Sequence, residues 1–224
     1  MTSYHCALGC AKCRPKPRDL EIAPRILLAP RILLDCDGVL ADFAGGVLPL
    51  VAEVTGRPAP RESWTRWEFE RSFGLSAEET RWVASRIASG GFCRGLEVLP
   101  GAVDGVRALR EVAEVYVVTT PWHSSPTWDY ERREWLLDHL AVPPSHVIQC
   151  SAKHLVTGDV FVDDKTSTLE AWAAGHPRGE AVRWRTLPNR GEYWGGAEAS
   201  DWVTIRERAL VAQARHDLRN EVFL

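Results

Sequence analysis

The chain has no apolar run approaching the ~20 residues of a membrane-spanning helix, so no membrane partner is expected. It has no surplus of positive charge either. Lys and Arg number 27 against 30 Asp and Glu, for a net charge of −3. That leaves no electrostatic footprint for nucleic acid, and no nucleic-acid partner is expected. Arginine far outnumbers lysine, which reads as coding bias. The opening residues MTSYHCALGCAKC lack a charged region followed by an apolar one, so no secretory signal is read there. Cysteine is too sparse for a disulfide scaffold, at six in 224 residues. A reducing, cytoplasmic location is expected.

What remains is a chain long enough to bury a substantial core, as one domain or as one core with an inserted subdomain. Residues 1–25 are rich in Cys, Lys, Arg and Pro, carry no periodicity, and read as a flexible tail. The hexapeptide APRILL occurs twice in tandem over 23–34, and only the second copy leads into Asp35. Residues 45–62 are helix-like and end at Gly and Pro. Further on, Ser76 with Glu78 and Glu79 predicts a helix N-terminus. After Pro100 the pattern alternates. GAVDGVRALREVA reads as helix, EVYVVTT as strand, DYERREWLLDHL as helix, and HVIQC and DVFVDD as strands. TLEAWAAG follows as a helix closed by Gly175, AVRWRT as a last strand, and DWVTIRERALVAQARHDL as a terminal helix. Strands alternating with helices predict an α/β fold with a doubly wound parallel sheet. The stretch after the first strand is too long for an ordinary crossover. It predicts a small helical cap at 45–92, inserted into a core of 26–44 and 93–224. In such sheets ligands bind beyond the carboxyl ends of the strands.

Residues 31–43 read RILLDCDGVLADF. Ile32, Leu33 and Leu34 form the short apolar run of a strand buried on both faces. Asp and Gly after such a run can mark no more than a turn. Strand alternation, however, puts Asp35 and Asp37 on one side and Cys36 on the other. Like charges that close need a positive partner, and a divalent cation suits them. Mg²⁺ takes one or two carboxylates plus water and substrate phosphate. Gly38 permits a sharp exit and lets a ligand approach the backbone. Cys36 reads as small core filler.

Three further strand ends carry candidate groups: Thr119 and Thr120 after EVYVV, Lys153 after HVIQCSA, and Asp163 and Asp164 after DVFV. Singly each has an ordinary structural reading, as a strand-end threonine, a solvated charge or a helix N-cap. Together, at one edge of one sheet, they supply metal carboxylates, a hydroxyl and a cation, which is what phosphoryl chemistry needs.

The order of these groups resembles the phosphatase branch of the haloacid dehalogenase (HAD) superfamily, with its HAD-like, Rossmann-type core. The strings DCDGVLADFAGG, LPGAVDGV, VVTTPW and YERREW, a Lys ten residues before Asp-Asp, and a late DW resemble the 5'(3')-deoxyribonucleotidases of the cytosolic and mitochondrial type over residues 31–205. The resemblance implies a Mg²⁺-dependent phosphomonoesterase for (deoxy)nucleoside monophosphates. Its partner is then a small-molecule phosphomonoester, and a homodimer is compatible with it. It makes Asp35 the nucleophile that forms an aspartyl-phosphate. Asp37 becomes the general acid and then the base. Thr119, Thr120, Lys153 and Gly38 bind the phosphoryl oxygens. Asp35, the Asp37 carbonyl, Asp163 and, more remotely, Asp164 hold the metal. Phe43, Trp64, Trp67 and Phe69 form an apolar slot for the nucleobase; the same aromatics, among ten tryptophans, can instead glue the cap together. His123 stands where eukaryotic members carry a lysine near the substrate.

Cys6, Cys10 and Cys13 repeat the C-x3-C-x2-C spacing of an iron–sulfur motif, and with His5 could hold Zn²⁺. A plain tail is the simpler account. Rival readings are a HAD phosphatase for another small phosphomonoester, a non-catalytic phospho-acceptor domain, and a metal-binding regulatory protein. In phospho-acceptor domains the acidic pair comes first in the chain; here it comes last.

Overall fold

A computed structural model describes residues 29–221. The proposed tail, the first APRILL copy and the N-terminal cysteines lie outside the described residues.

Six parallel strands form one sheet: β1 (Arg31–Leu34), β2 (Glu114–Thr119), β3 (Val147–Gln149), β4 (Val160–Asp163), β5 (Glu180–Trp184) and β6 (Ala197–Ala199), in the order β3-β2-β1-β4-β5-β6. The central strands are apolar because both faces are covered. Ile32 and Leu34 of β1 join one core with α4 (Ala102–Arg110), α5 (Trp128–Leu140) and α7 (Trp202–Glu221). Leu33 points the other way, into a core closed by Leu169 and Trp172 of α6 (Thr166–Gly175). The chain therefore winds outward from β1 in both directions, as the alternating pattern predicts. The strand order reverses between β1 and β4, which is where such sheets open a crevice for a ligand.

Between β1 and α4 lie α1 (Phe43–Thr55), α2 (Phe69–Phe73) and α3 (Ala77–Ile87). They gather an apolar cluster of their own, including Val47, Val51, Trp64, Phe69, Val83 and Ile87, to which α5 contributes Trp128. Asp42 caps α1 by accepting from the Gly45 N–H at 2.9 Å. Gly56 ends α1 in the left-handed conformation at φ 63°. Ser76 and Glu79 form a reciprocal capping box at the start of α3.

Candidate active site

Asp35 follows the last residue of β1, and its N–H still donates to the Val162 carbonyl of β4 at 2.8 Å. The sheet ladder thus holds the nucleophile candidate rigidly. Its carboxylate accepts from the Cys36 N–H at 2.7 Å and pairs with Lys153 Nζ at 2.6 Å. Lys153 opens a single 3-10 turn (Lys153–Leu155) and also reaches Asp163 at 2.8 Å. The second oxygen of Asp163 takes the Lys165 N–H at 2.8 Å. Carboxylate oxygens of Asp35, Asp163 and Asp164 all lie within 4.8 Å of one another. These three buried carboxylates face one buried ammonium.

The set fits a hard divalent cation. All its ligand atoms are oxygen, and its negative charge exceeds what Lys153 balances. Asp164 Oδ1 is buried and has no hydrogen-bond partner. Burial pushes Asp163 up to about 6, aided by the Asp35 charge. Burial likewise raises Asp164, with Asp163 and Asp35 adding to it. Burial pulls the Lys153 ammonium down, but the Asp35 and Asp163 carboxylates outweigh it and hold it above the ordinary lysine range.

Asp37 lines the same cavity as Asp35, while Cys36 is buried in the core. The strand ends at Leu34, and beyond Asp35 the backbone turns. The Cys36 carbonyl accepts from the N–H groups of Leu40 and Ala41 at 2.7 and 2.8 Å. Cys36 and Asp37 consequently meet the same side chain, Arg132 of α5. Its Nη2 lies 2.6 and 2.8 Å from the two Asp37 oxygens, and its Nη1 lies 3.0 Å from Cys36 Sγ. The two neighbouring aspartates are thus offset by two protein cations, Lys153 for one and Arg132 for the other. The Asp37 side chain stands outside the three-carboxylate cluster. Burial pushes its carboxyl upward, and Arg132 pulls it back.

Gly38 turns the chain at φ 82°. Thr119, the last residue of β2, is buried with its hydroxyl unpartnered. The Thr120 hydroxyl donates to the Cys150 carbonyl at 3.3 Å.

These groups form the floor of a cavity of about 710 Å³. Phe43, Trp64, Trp67, Phe69 and three further tryptophans, Trp122, Trp128 and Trp184, line its walls. Phe43 sits centrally, with ring centroids 6.4 Å from Trp64 and 6.2 Å from Trp122. Trp64 and Phe69 also belong to the apolar cluster of α1–α3, so they serve packing and lining together. His123 differs from the other candidates. It does not line the cavity; its exposed ring bonds Ser151 Oγ at 2.7 Å.

Sequence reasoning missed Arg132, Trp122 and Lys165. The first two lie in YERREW and VVTTPW. An arginine in an amphipathic helix reads as a solvated charge, and nothing in the local pattern signals that this one is fully buried. Lys165 Nζ lies 5.0 Å from the centroid of the Trp67 ring and joins the helical segment to the sheet.

A family model described as "5' nucleotidase, deoxy (Pyrimidine), cytosolic type C protein" matches residues 29–190. The chain belongs to this family. Among similar proteins of this 5'-nucleotidase family, the cytosolic-type 5'(3')-deoxyribonucleotidase of Homo sapiens is 34% identical over 146 residues, covering 60% of this chain and 70% of its own. The mitochondrial 5'(3')-deoxyribonucleotidase of Mus musculus is 28% identical over 186 residues, covering 80% of this chain and 84% of its own. A solved structure of a HAD family hydrolase from Deinococcus radiodurans R1, with bound phosphate and sodium, superposes with a TM-score of 0.54 at 14% identity. It covers 82% of this chain and 96% of that one, and it supports the HAD-like fold. The 5'-nucleotidase is accordingly a phosphoric monoester hydrolase, and its substrate is a small-molecule phosphomonoester.

Proposed function

We propose that the enzyme hydrolyses (deoxy)nucleoside monophosphates, with Mg²⁺, through an aspartyl-phosphate on Asp35. The observation that carries this is the pairing of a rigid carboxylate–lysine floor with an aromatic-walled cavity large enough for a nucleotide.

Asp35 attacks phosphorus, and the bond to the leaving oxygen breaks. Asp37, whose side chain is 23% exposed, gives the leaving alkoxide its proton and later takes one from the attacking water. Lys153 and the free Thr119 hydroxyl bind phosphoryl oxygens, and the amides around Gly38 and Thr120 assist. Asp35, Asp163 and Asp164, with the Asp37 carbonyl, would hold Mg²⁺, which when bound would neutralise phosphoryl charge. Phe43, Trp67 and Trp122 offer π-faces to the base, while Trp64 and Phe69 back them. His123 at the rim meets substrate only through the Ser151 side of the cavity. The helices α1–α3 act as the cap over this site. A cytoplasmic setting goes with this reading. The described cysteines Cys36, Cys93 and Cys150 are free thiols, and no helix among the described residues is long and apolar enough to cross a membrane.

The test is a screen of nucleoside monophosphates and sugar phosphates with and without Mg²⁺, reading released phosphate. Mg²⁺-dependent release, best from nucleotides, is the expected result. Equal rates on sugar phosphates replace it with a general small-phosphomonoester phosphatase.

A further inference from the structure

Arg132 is the one fully buried cation of the molecule among the described residues, with no exposed surface, and no part of the scheme above uses it. It comes from α5 and does not line the cavity that Asp37 lines. Trp128 and Trp135, one turn away on either side, hold its guanidinium carbon 5.2 and 5.6 Å from their ring centroids. Its ion pair with Asp37 is the only one it makes among the described residues. A buried arginine normally collects a two-nitrogen fork on a carboxylate. Here a single nitrogen, Nη2, straddles both Asp37 oxygens, Nη1 goes to the Cys36 sulfur, and Nε has no partner.

This geometry has a chemical consequence. One nitrogen on both oxygens anchors the end of the Asp37 side chain against α5. Each oxygen keeps a further lone-pair direction, and the Asp37 side chain remains open to the cavity. Burying a charge with one partner is costly unless that partner stays in place. Nothing else in the structure orients Asp37: no other side-chain hydrogen bond reaches its carboxylate among the described residues.

We propose that Arg132 is a positioning residue for proton transfer: it aims the Asp37 carboxyl at the leaving oxygen and later at the attacking water. The proposal rests on the aspartyl-phosphate reading and deepens it. In the first half-reaction the Asp35–phosphorus bond forms, the phosphorus–leaving-oxygen bond breaks, and the proton on Asp37 goes to that oxygen. In the second, water attacks phosphorus, its proton goes to Asp37, and the bond to Asp35 breaks. Only the first half depends on how badly the leaving group needs a proton.

The experiment uses that difference. An alkyl leaving group, as in a nucleoside monophosphate, needs the proton; p-nitrophenolate does not. kcat/KM reports the reaction through the first irreversible step, which excludes the water step. Arg132→Met is therefore expected to lose on the order of 10²-fold or more in kcat/KM on the nucleotide and under about tenfold on p-nitrophenyl phosphate. It is also expected to give a burst of nitrophenolate followed by slow turnover, because the water step still needs Asp37. Arg132→Lys should lie between wild type and Arg132→Met in the ratio of the two substrates. If Arg132→Met does not fold, as judged by its thermal unfolding, the Lys variant carries the same ratio test. Equal losses on both substrates in a folded variant overturn the proposal and leave Arg132 a packing residue. Failure of the aspartyl-phosphate reading shows separately, as an Asp35→Asn enzyme that turns over the nucleotide within about tenfold of wild type.

Discussion

Gly38 has φ 82°, and a Cβ placed there would lie 2.3 Å from Asp164 Oδ2. Gly38→Ala therefore combines a left-handed alanine, costing roughly 1–2 kcal/mol, with displacement of a carboxylate in the three-aspartate cluster. The Mg²⁺ concentration for half-maximal activity is expected to rise on the order of tenfold or more. An unchanged half-activation point would separate Asp164 from the metal. Residue chemistry also sorts the thiols. Burial pushes the Cys93 thiol up to about 12 and raises Cys36 as well. At pH 8 only about one Cys93 in 10⁴ is then thiolate. Iodoacetamide should leave both peptides unlabelled in the native protein and label both in denaturant; native labelling of Cys93 contradicts the burial described. At this scale the sequence was readable where a residue type is unusual for its place. Asp35, Lys153, Asp163 and Asp164 were singled out because carboxylates and an ammonium at strand ends need partners. Arg132 was not, because its partner is 95 residues away. Asp37 shares the cavity with Asp35, and Cys36 turns into the core, but the carboxylate of Asp37 pairs with Arg132 because the backbone turns past the end of β1.

At the scale of elements, the apolar runs of β1 and β4 and the capping box of α3 announce themselves, since each is a local rule acting on adjacent residues. β6 does not: AEA is three residues long and has neither β-branched nor aromatic side chains, so only pairing with β5 makes it a strand. Gly175 was read as a closing cap. It is instead the last residue of α6, and His176 follows as the C-cap at φ −129°. The segment of α1–α3 carries its own test. Trp67 faces the cavity and also stacks with Lys165 of the sheet domain. If it contacts the base, Trp67→Ala should reduce the preference for a nucleoside monophosphate over glycerol phosphate, with a stacking contribution of about 1–3 kcal/mol. The rate on glycerol phosphate should hardly change. Equal loss on both substrates would make Trp67 a strut that holds the helices over the floor.

At the scale of the molecule, the doubly wound topology follows from alternation, and the site follows from topology. β1 lies between β2 and β4, so their carboxyl ends bring Asp35, Thr119 and Asp163 together although the chain separates them widely. The chain enters the sheet through Pro30, whose carbonyl accepts from the Glu114 N–H at 2.9 Å. Removal of residues 1–24 leaves every site group in place. Activity is expected to stay within about twofold of the full chain; collapse on truncation, with loss of bound zinc or iron, would make the cysteine cluster a working part. The central claim is that Asp35 attacks phosphorus, and the most direct measurement is the initial rate of phosphate release from a nucleoside monophosphate, with Mg²⁺, by Asp35→Asn beside wild type. The amide has the shape of the carboxylate but cannot attack, so the account predicts a fall on the order of 10³-fold or more with the thermal unfolding transition still cooperative. A folded Asp35→Asn enzyme within about tenfold of wild type would contradict it.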